Sequence, residues 1–136
     1  MFVQVETTLR DNGIQPSAQR VAVASYVLHT HEHPSAELVF KRVREHFPWI
    51  SRATVYNTLN LFVEKGLLQR LAIAEDSVVF DPVTETHHHF IDEESGAIYD
   101  VPWERVQVCN LETLHDYDIR QYQVVMRGKL KETGEK

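Results

Sequence analysis

Apolar positions in the first half of the chain recur at helical spacing. After Pro16-Ser17, the residues Val21, Ala24, Val27 and Leu28 share one face, and His31-Glu32-His33-Pro34 closes the segment. Ser35 is the N-cap candidate of a second helix. Val39, Val43 and Phe47 follow in it at i, i+4 and i+8, and Pro48 ends it. Ser51 caps a third helix running to Lys65, with Val55, Leu59 and Phe62 along one side and Gly66 at the C′ position. At about 100° per residue, its opposite side carries Ala53, Tyr56, Asn57 and Asn60, with Arg52 in the first turn. The period then shortens to that of strands. Leu67–Ala72 and Ser77–Asp81 read as a hairpin around Glu75-Asp76.

Three helices and a hairpin predict a winged helix-turn-helix over residues 1–81. In such modules the helix before the wing enters the major groove of DNA. Pro82–Thr86 is short, polar and aperiodic, as expected of a hinge. Beyond it, His87–Ile91 and Ala97–Val101 read as strands joined at Glu93-Glu94-Ser95-Gly96. Pro102–Leu114 reads as a helix and Ile119–Met126 as a strand. This small C-terminal α/β unit, residues 87–136, is too slight to stand securely alone, so pairing with a second copy is expected. The expected class is therefore α+β: an N-terminal winged helix-turn-helix domain followed by a small C-terminal α/β dimerisation domain.

Composition sharpens that division. The chain has 136 residues, 43% of them apolar, and a net charge of −6, a total ill suited to a phosphate backbone. The acidity is uneven, however. Residues 1–80 carry eight Lys/Arg against eight Asp/Glu, and residues 81–136 carry six against twelve. A neutral half with local basic clusters suits DNA, and an acidic, histidine-rich half suits a cation. No apolar run reaches the roughly 18 residues of a membrane helix, and Met1–Arg10 lacks the form of a signal peptide, so no membrane role and a cytoplasmic location are expected. Cys109, the single cysteine, reads as a small buried apolar residue.

The candidate chemistry centres on His87-His88-His89. Alternate residues of a strand share a face, so His87 and His89 can grip one ion while His88 points away. Imidazoles suit zinc, iron, manganese, nickel or copper, and carboxylates shift the preference towards manganese and ferrous iron. Asp81 precedes this strand, Asp100 lies in the strand expected to pair with it, and His33 is a candidate fifth ligand. Spacing alone leaves a solvated surface strand as the competing reading. His88 and His115, with Glu104 or Glu112, read as solvated surface rather than a second metal site.

Several segments, in order, resemble the ferric uptake regulator superfamily over nearly the full length. They are Gly13-Ile14-Gln15-Pro16-Ser17-Ala18-Gln19-Arg20, His33-Pro34-Ser35-Ala36-Glu37, Ser51-Arg52-Ala53-Thr54-Val55-Tyr56-Asn57-Thr58-Leu59, Val79-Phe80-Asp81 and His87-His88-His89-Phe90. The Ala-Thr-Val-Tyr helix and the His-x-His-Phe strand are the specific ones. The resemblance implies a homodimeric transcriptional repressor that binds an operator with an inverted repeat in double-stranded DNA. It implies that Arg52 and Tyr56 contact DNA. Asn57, as a bidentate amide, suits an adenine edge.

Within the family, the peroxide-sensing branch matches best. It implies Fe(II) or Mn(II), with Zn(II) able to substitute in vitro, on His33, Asp81, His87, His89 and Asp100. Iron-sensing members typically place a glutamate where Asp100 stands. With Fe(II) bound, peroxide would add oxygen to His33 or His87 and so release metal and DNA. One departure is informative. The family's structural zinc needs two Cys-x-x-Cys pairs; the first falls on Asp92 and Ser95, and no second exists, so no four-cysteine zinc is expected. The haem-responsive iron-regulator branch, which shares that lack and a His-His-His-Phe run, is the alternative, although this chain keeps His33-Pro34. A metal hydrolase is disfavoured, because no His-Glu-x-x-His accompanies the histidines. An enzyme is therefore not expected.

Overall fold

The computed structural model describes residues 2–74 and 77–132 and divides into two compact units, residues 1–84 and 85–136. The first unit contains α1 (Phe2–Asp11), α2 (Ala18–Val27), α3 (Ala36–His46), α4 (Arg52–Glu64), β1 (Gln69–Ala74) and β2 (Ser77–Asp81). Among the described residues no helix is long and apolar enough to cross a membrane.

Three serines start three of these helices in the same way. Ser17, Ser35 and Ser51 accept hydrogen bonds from the backbone N–H of Arg20, Leu38 and Thr54, satisfying donors that a first helical turn leaves unpaired. Pro48 follows the end of α3 as expected. Gly66 adopts φ +83° after α4, where its N–H reaches Val63 O and that of Leu67 reaches Phe62 O. The buried faces meet in one core that includes Val23, Val27, Val39, Val43, Val55, Leu59 and Phe62. Burying each such side chain stabilises the unit by about 1.5–3 kcal/mol.

Helix α1 is absent from the sequence expectation, which began its helices at Pro16-Ser17. Its signal is thin, since Val5 and Leu9, at i and i+4, are the α1 residues that join the core among the described side chains. The β1–β2 pair is antiparallel, with Gln69 opposite Asp81 and a register irregularity between Ala72 and Ala74. The expected turn at Glu75-Asp76 lies outside the described residues.

The second unit is a three-stranded sheet in the order β4-β3-β5, with β3 at His88–Asp92, β4 at Ile98–Val101 and β5 at Val125–Gly128. β3 pairs antiparallel with β4 and parallel with β5. Two expectations fail here. Residues Pro102–Leu114 form no α-helix, only short 3₁₀ turns at Trp103–Arg105 and Leu111–Thr113. Between them Val106 is extended and Asn110 is left-handed at φ +73°; β-branched Val106 and Val108 and the turn-forming Asn110 oppose a continuous helix. The last strand is also shorter and later than Ile119–Met126. Its first ladder partner is Val125 opposite His89, and Val124 still bonds to β3, so the alternating residues 119–123 are the ones that precede the ladder. Cys109, expected to be buried, is exposed, in the segment between the two 3₁₀ turns.

Candidate metal centre and nucleic-acid interface

In the first unit, His33 and Asp81 form a buried pair. His33 Nε2 lies 3.3 Å from Asp81 Oδ2. Each group is fixed from behind. His33 Nδ1 lies 3.2 Å from His31 O, and because a carbonyl can only accept, Nδ1 carries the proton and Nε2 is turned to the carboxylate. Asp81 Oδ1 accepts from Val83 N–H at 2.9 Å, which orients the other oxygen towards His33. Phe80 N–H donates to Pro34 O at 2.8 Å, tying β2 to the loop that carries His33.

That loop is strained and braced. His33 adopts φ +51°, a left-handed conformation costing an L-residue about 1–2 kcal/mol. The preceding Glu32 accepts from Tyr26 Oη at 2.5 Å and from Arg42 at 3.1 and 3.4 Å, so α2 and α3 both hold it. The hydrogen bond from Arg42, then that from Tyr26, keeps the Glu32 carboxyl below the usual range. Burial, and then the bond to Glu32, pushes the Tyr26 phenol up to about 12.

In the second unit, His87, His89 and Asp100 converge. His89 stands directly opposite Asp100 in the β3–β4 ladder. His87 Nε2 and His89 Nε2 lie 3.2 Å and 3.6 Å from Asp100 Oδ1, and the two rings are 4.5 Å apart. His87 Nδ1 donates to Glu85 O at 2.6 Å, again leaving Nε2 for the cluster. Donors bound to one ion at about 2.1 Å stand about 3.0–3.4 Å apart, which matches the His33–Asp81 and His87–Asp100 spacings, and His89 Nε2 lies just beyond that range from Asp100.

His88 differs from the solvated residue expected. It is fully buried, its Nδ1 accepts Val124 N–H at 2.9 Å, and its ring stacks on Trp103 at 4.6 Å and 12°. Its Nε2 has no hydrogen-bond partner among the described residues. His88 therefore bonds β3 to the chain entering β5. His115, Glu104 and Glu112 are exposed.

On α4, Arg52, Tyr56 and Asn57 share the outward side, with Tyr56 39% exposed. Arg52 pairs with Glu37 of α3, and Tyr56 Oη donates to the same Glu37 oxygen at 3.3 Å. The Arg52 guanidinium also lies 4.6 Å from the Phe40 ring centre. Asn57 lines a cavity of about 590 Å³ with Gln15, Arg20 and Thr54. Asn60 accepts from Arg70 of β1, joining helix to wing. Sequence reasoning did not single out Glu32, Tyr26 or Glu37, because their partners are 6 to 19 residues distant.

The model of the Ferric uptake regulator family matches residues 11–127. The peroxide-responsive repressor PerR of Staphylococcus aureus strain Mu50 is 32% identical over 131 residues, covering 95% of this chain and 88% of the relative. Among solved structures, the ferric uptake regulator of Pseudomonas aeruginosa with manganese superposes with a TM-score of 0.71 at 22% identity, covering 94% of this chain and 98% of that one. The Campylobacter jejuni peroxide stress regulator gives 0.67 at 22% identity, covering 98% of both chains.

Proposed function

Because the chain belongs to the ferric uptake regulator family, we propose that it is a metal-dependent, homodimeric transcriptional repressor that senses peroxide, and not an enzyme. The observation that carries this reading is the pair of preorganised donor groups. His33 with Asp81 in the first unit, and His87 and His89 with Asp100 in the second, each show metal-like spacing.

His33, Asp81, His87, His89 and Asp100 would together hold one divalent ion, Fe(II) or Mn(II), with Zn(II) able to substitute in vitro. Three imidazoles and two carboxylates suit these borderline and hard ions. Drawing ligands from both units couples occupancy to their arrangement. Two copies of α4 must reach major-groove half-sites of an inverted repeat about 34–36 Å apart, so a metal-dependent arrangement changes DNA affinity. Arg52 and Tyr56 contact the duplex, and Asn57 suits an adenine edge.

Ferrous iron held by these residues would supply the redox chemistry that activates peroxide, with both electrons drawn in the end from a ligand ring. The chain's part is to hold the His33 and His87 rings by their Nδ1–H groups, with Nε2 directed at the acceptor carboxylates. Overall, one ring C–H and H₂O₂ give an oxo-imidazole and water; the ring loses two electrons and gains one oxygen. The altered ring binds metal poorly, so the ligand set opens and DNA is released. The similarity to peroxide-responsive repressors and the presence of Asp100 support this signal over haem. The test is the intact mass of Fe(II)-loaded protein after peroxide. One added oxygen on His33 or His87 is expected, with none for Mn(II)-loaded protein; no addition would sink peroxide sensing and leave metal-dependent repression standing.

A further inference from the structure

We propose that Glu37 is a positioning residue for DNA reading, fixing Arg52 and Tyr56 in one arrangement and so setting discrimination between sequences rather than overall affinity. This rests on the DNA-binding reading above. A single surface ion pair would carry little. Here, three contacts converge. Arg52 and Tyr56, one helical turn apart on α4, both bond to Oε1 of Glu37 from α3. The Phe40 ring, 8% exposed and immobilised in the core, lies under the Arg52 guanidinium.

Two of these contacts remove different freedoms of Arg52. The carboxylate fixes one N–H of the planar fork, and the aromatic face fixes the plane. Arg44 approaches the same ring at 5.5 Å, so Phe40 also spaces two cations along α3 and α4. The hydrogen bond from Arg52 holds the Glu37 carboxyl below its usual range, so the residue is anionic at neutral pH. An anion on a DNA-facing surface opposes phosphates and weakens binding to any sequence. The compensation is an arginine and a phenol preset for the groove, which favours only the sequence that fits them.

The experiment compares wild type with Glu37→Gln and Glu37→Ala. Mn(II)-loaded wild-type protein first selects a preferred duplex from a randomised pool. Affinities are then measured for that duplex and for a scrambled one of equal composition, across a salt series. In both variants, scrambled-duplex binding should rise by about twofold to threefold as one negative charge is lost. Preferred-duplex binding should fall, so that the ratio drops by about tenfold. Melting midpoints should barely move, since Glu37 is exposed. Equal strengthening on both duplexes, with a steeper salt slope, would mean that Glu37 merely blocks Arg52 from phosphates, and would overturn the proposal. An unchanged ratio would overturn it as well. Failure of the wild type to select any duplex would overturn the DNA-binding reading itself.

Discussion

Replacing His88 with alanine removes an acceptor, a stacked ring and the volume that ring fills. Val124 N–H loses its partner at 2.9 Å, at a cost of about 1–2 kcal/mol for a half-buried donor. The stack on Trp103 at 4.6 Å contributes about 0.5–1.5 kcal/mol beyond area, and the vacated space costs about 1–2 kcal/mol more. Against these stands relief of the buried Nε2, which lacks a partner among the described residues, returning about 1 kcal/mol. The net loss is about 1.5–4.5 kcal/mol, centred near 3, or about 10 °C in the melting midpoint of a chain this size. Thermal unfolding followed by circular dichroism measures that, and Mn(II) titration of the same samples measures binding. His88→Ala should melt early and still bind Mn(II) below its midpoint, whereas His89→Ala should lose affinity. An unchanged midpoint with affinity lost as in His89→Ala would refute the assignment of His88 to packing.

Other outcomes follow from the remaining geometry. Ser51→Ala removes the acceptor for Thr54 N–H and should cost about 1 kcal/mol, read by denaturant unfolding; a loss below a few tenths would show that the cap does not anchor α4. Leu59→Ala, in the centre of the α4 packing face, should cost about 2–5 kcal/mol, and a smaller loss would contradict the core described. The Tyr26 phenol, held up to about 12 by burial and its bond to Glu32, favours the neutral form in the folded state. Its stabilising contribution is therefore whole below the ordinary value of about 10 and is lost as pH rises towards 12. The absorbance titration of wild type minus Tyr26→Phe checks this, and a difference midpoint near the ordinary value would contradict it. Asp100→Glu should retain Mn(II) binding and slow oxygen addition by peroxide with Fe(II), read by intact mass; an undiminished rate would deny Asp100 a part in peroxide reactivity.

Features carried by local chemistry were legible in the sequence. Ser17, Ser35, Ser51 and Gly66 mark helix ends because their partners lie a few residues away. The period of two places His87 and His89 together, and strand pairing brings in Asp100. The same period misled at His88: it turns from the other two rings, yet the space it enters is filled by Trp103 and the Val124 backbone rather than water. The supposed helix after Pro102 had an acceptable apolar count but the wrong residue types, with β-branched Val106 and Val108 before a left-handed Asn110. Long-range bracing was invisible. Glu32 and Glu37 look like ordinary surface carboxylates until α2, α3 and α4 bring Tyr26, Arg42, Arg52 and Tyr56 to them.

The proposal that one ion takes ligands from both units meets its most direct test in Mn(II) stoichiometry and affinity, measured by calorimetry on wild type, His33→Ala and His89→Ala. The wild type should bind one ion per chain at this site, and each variant should weaken that single event by at least about tenfold. Two independent binding events, one lost in each variant while the other persists unchanged, would contradict the shared site.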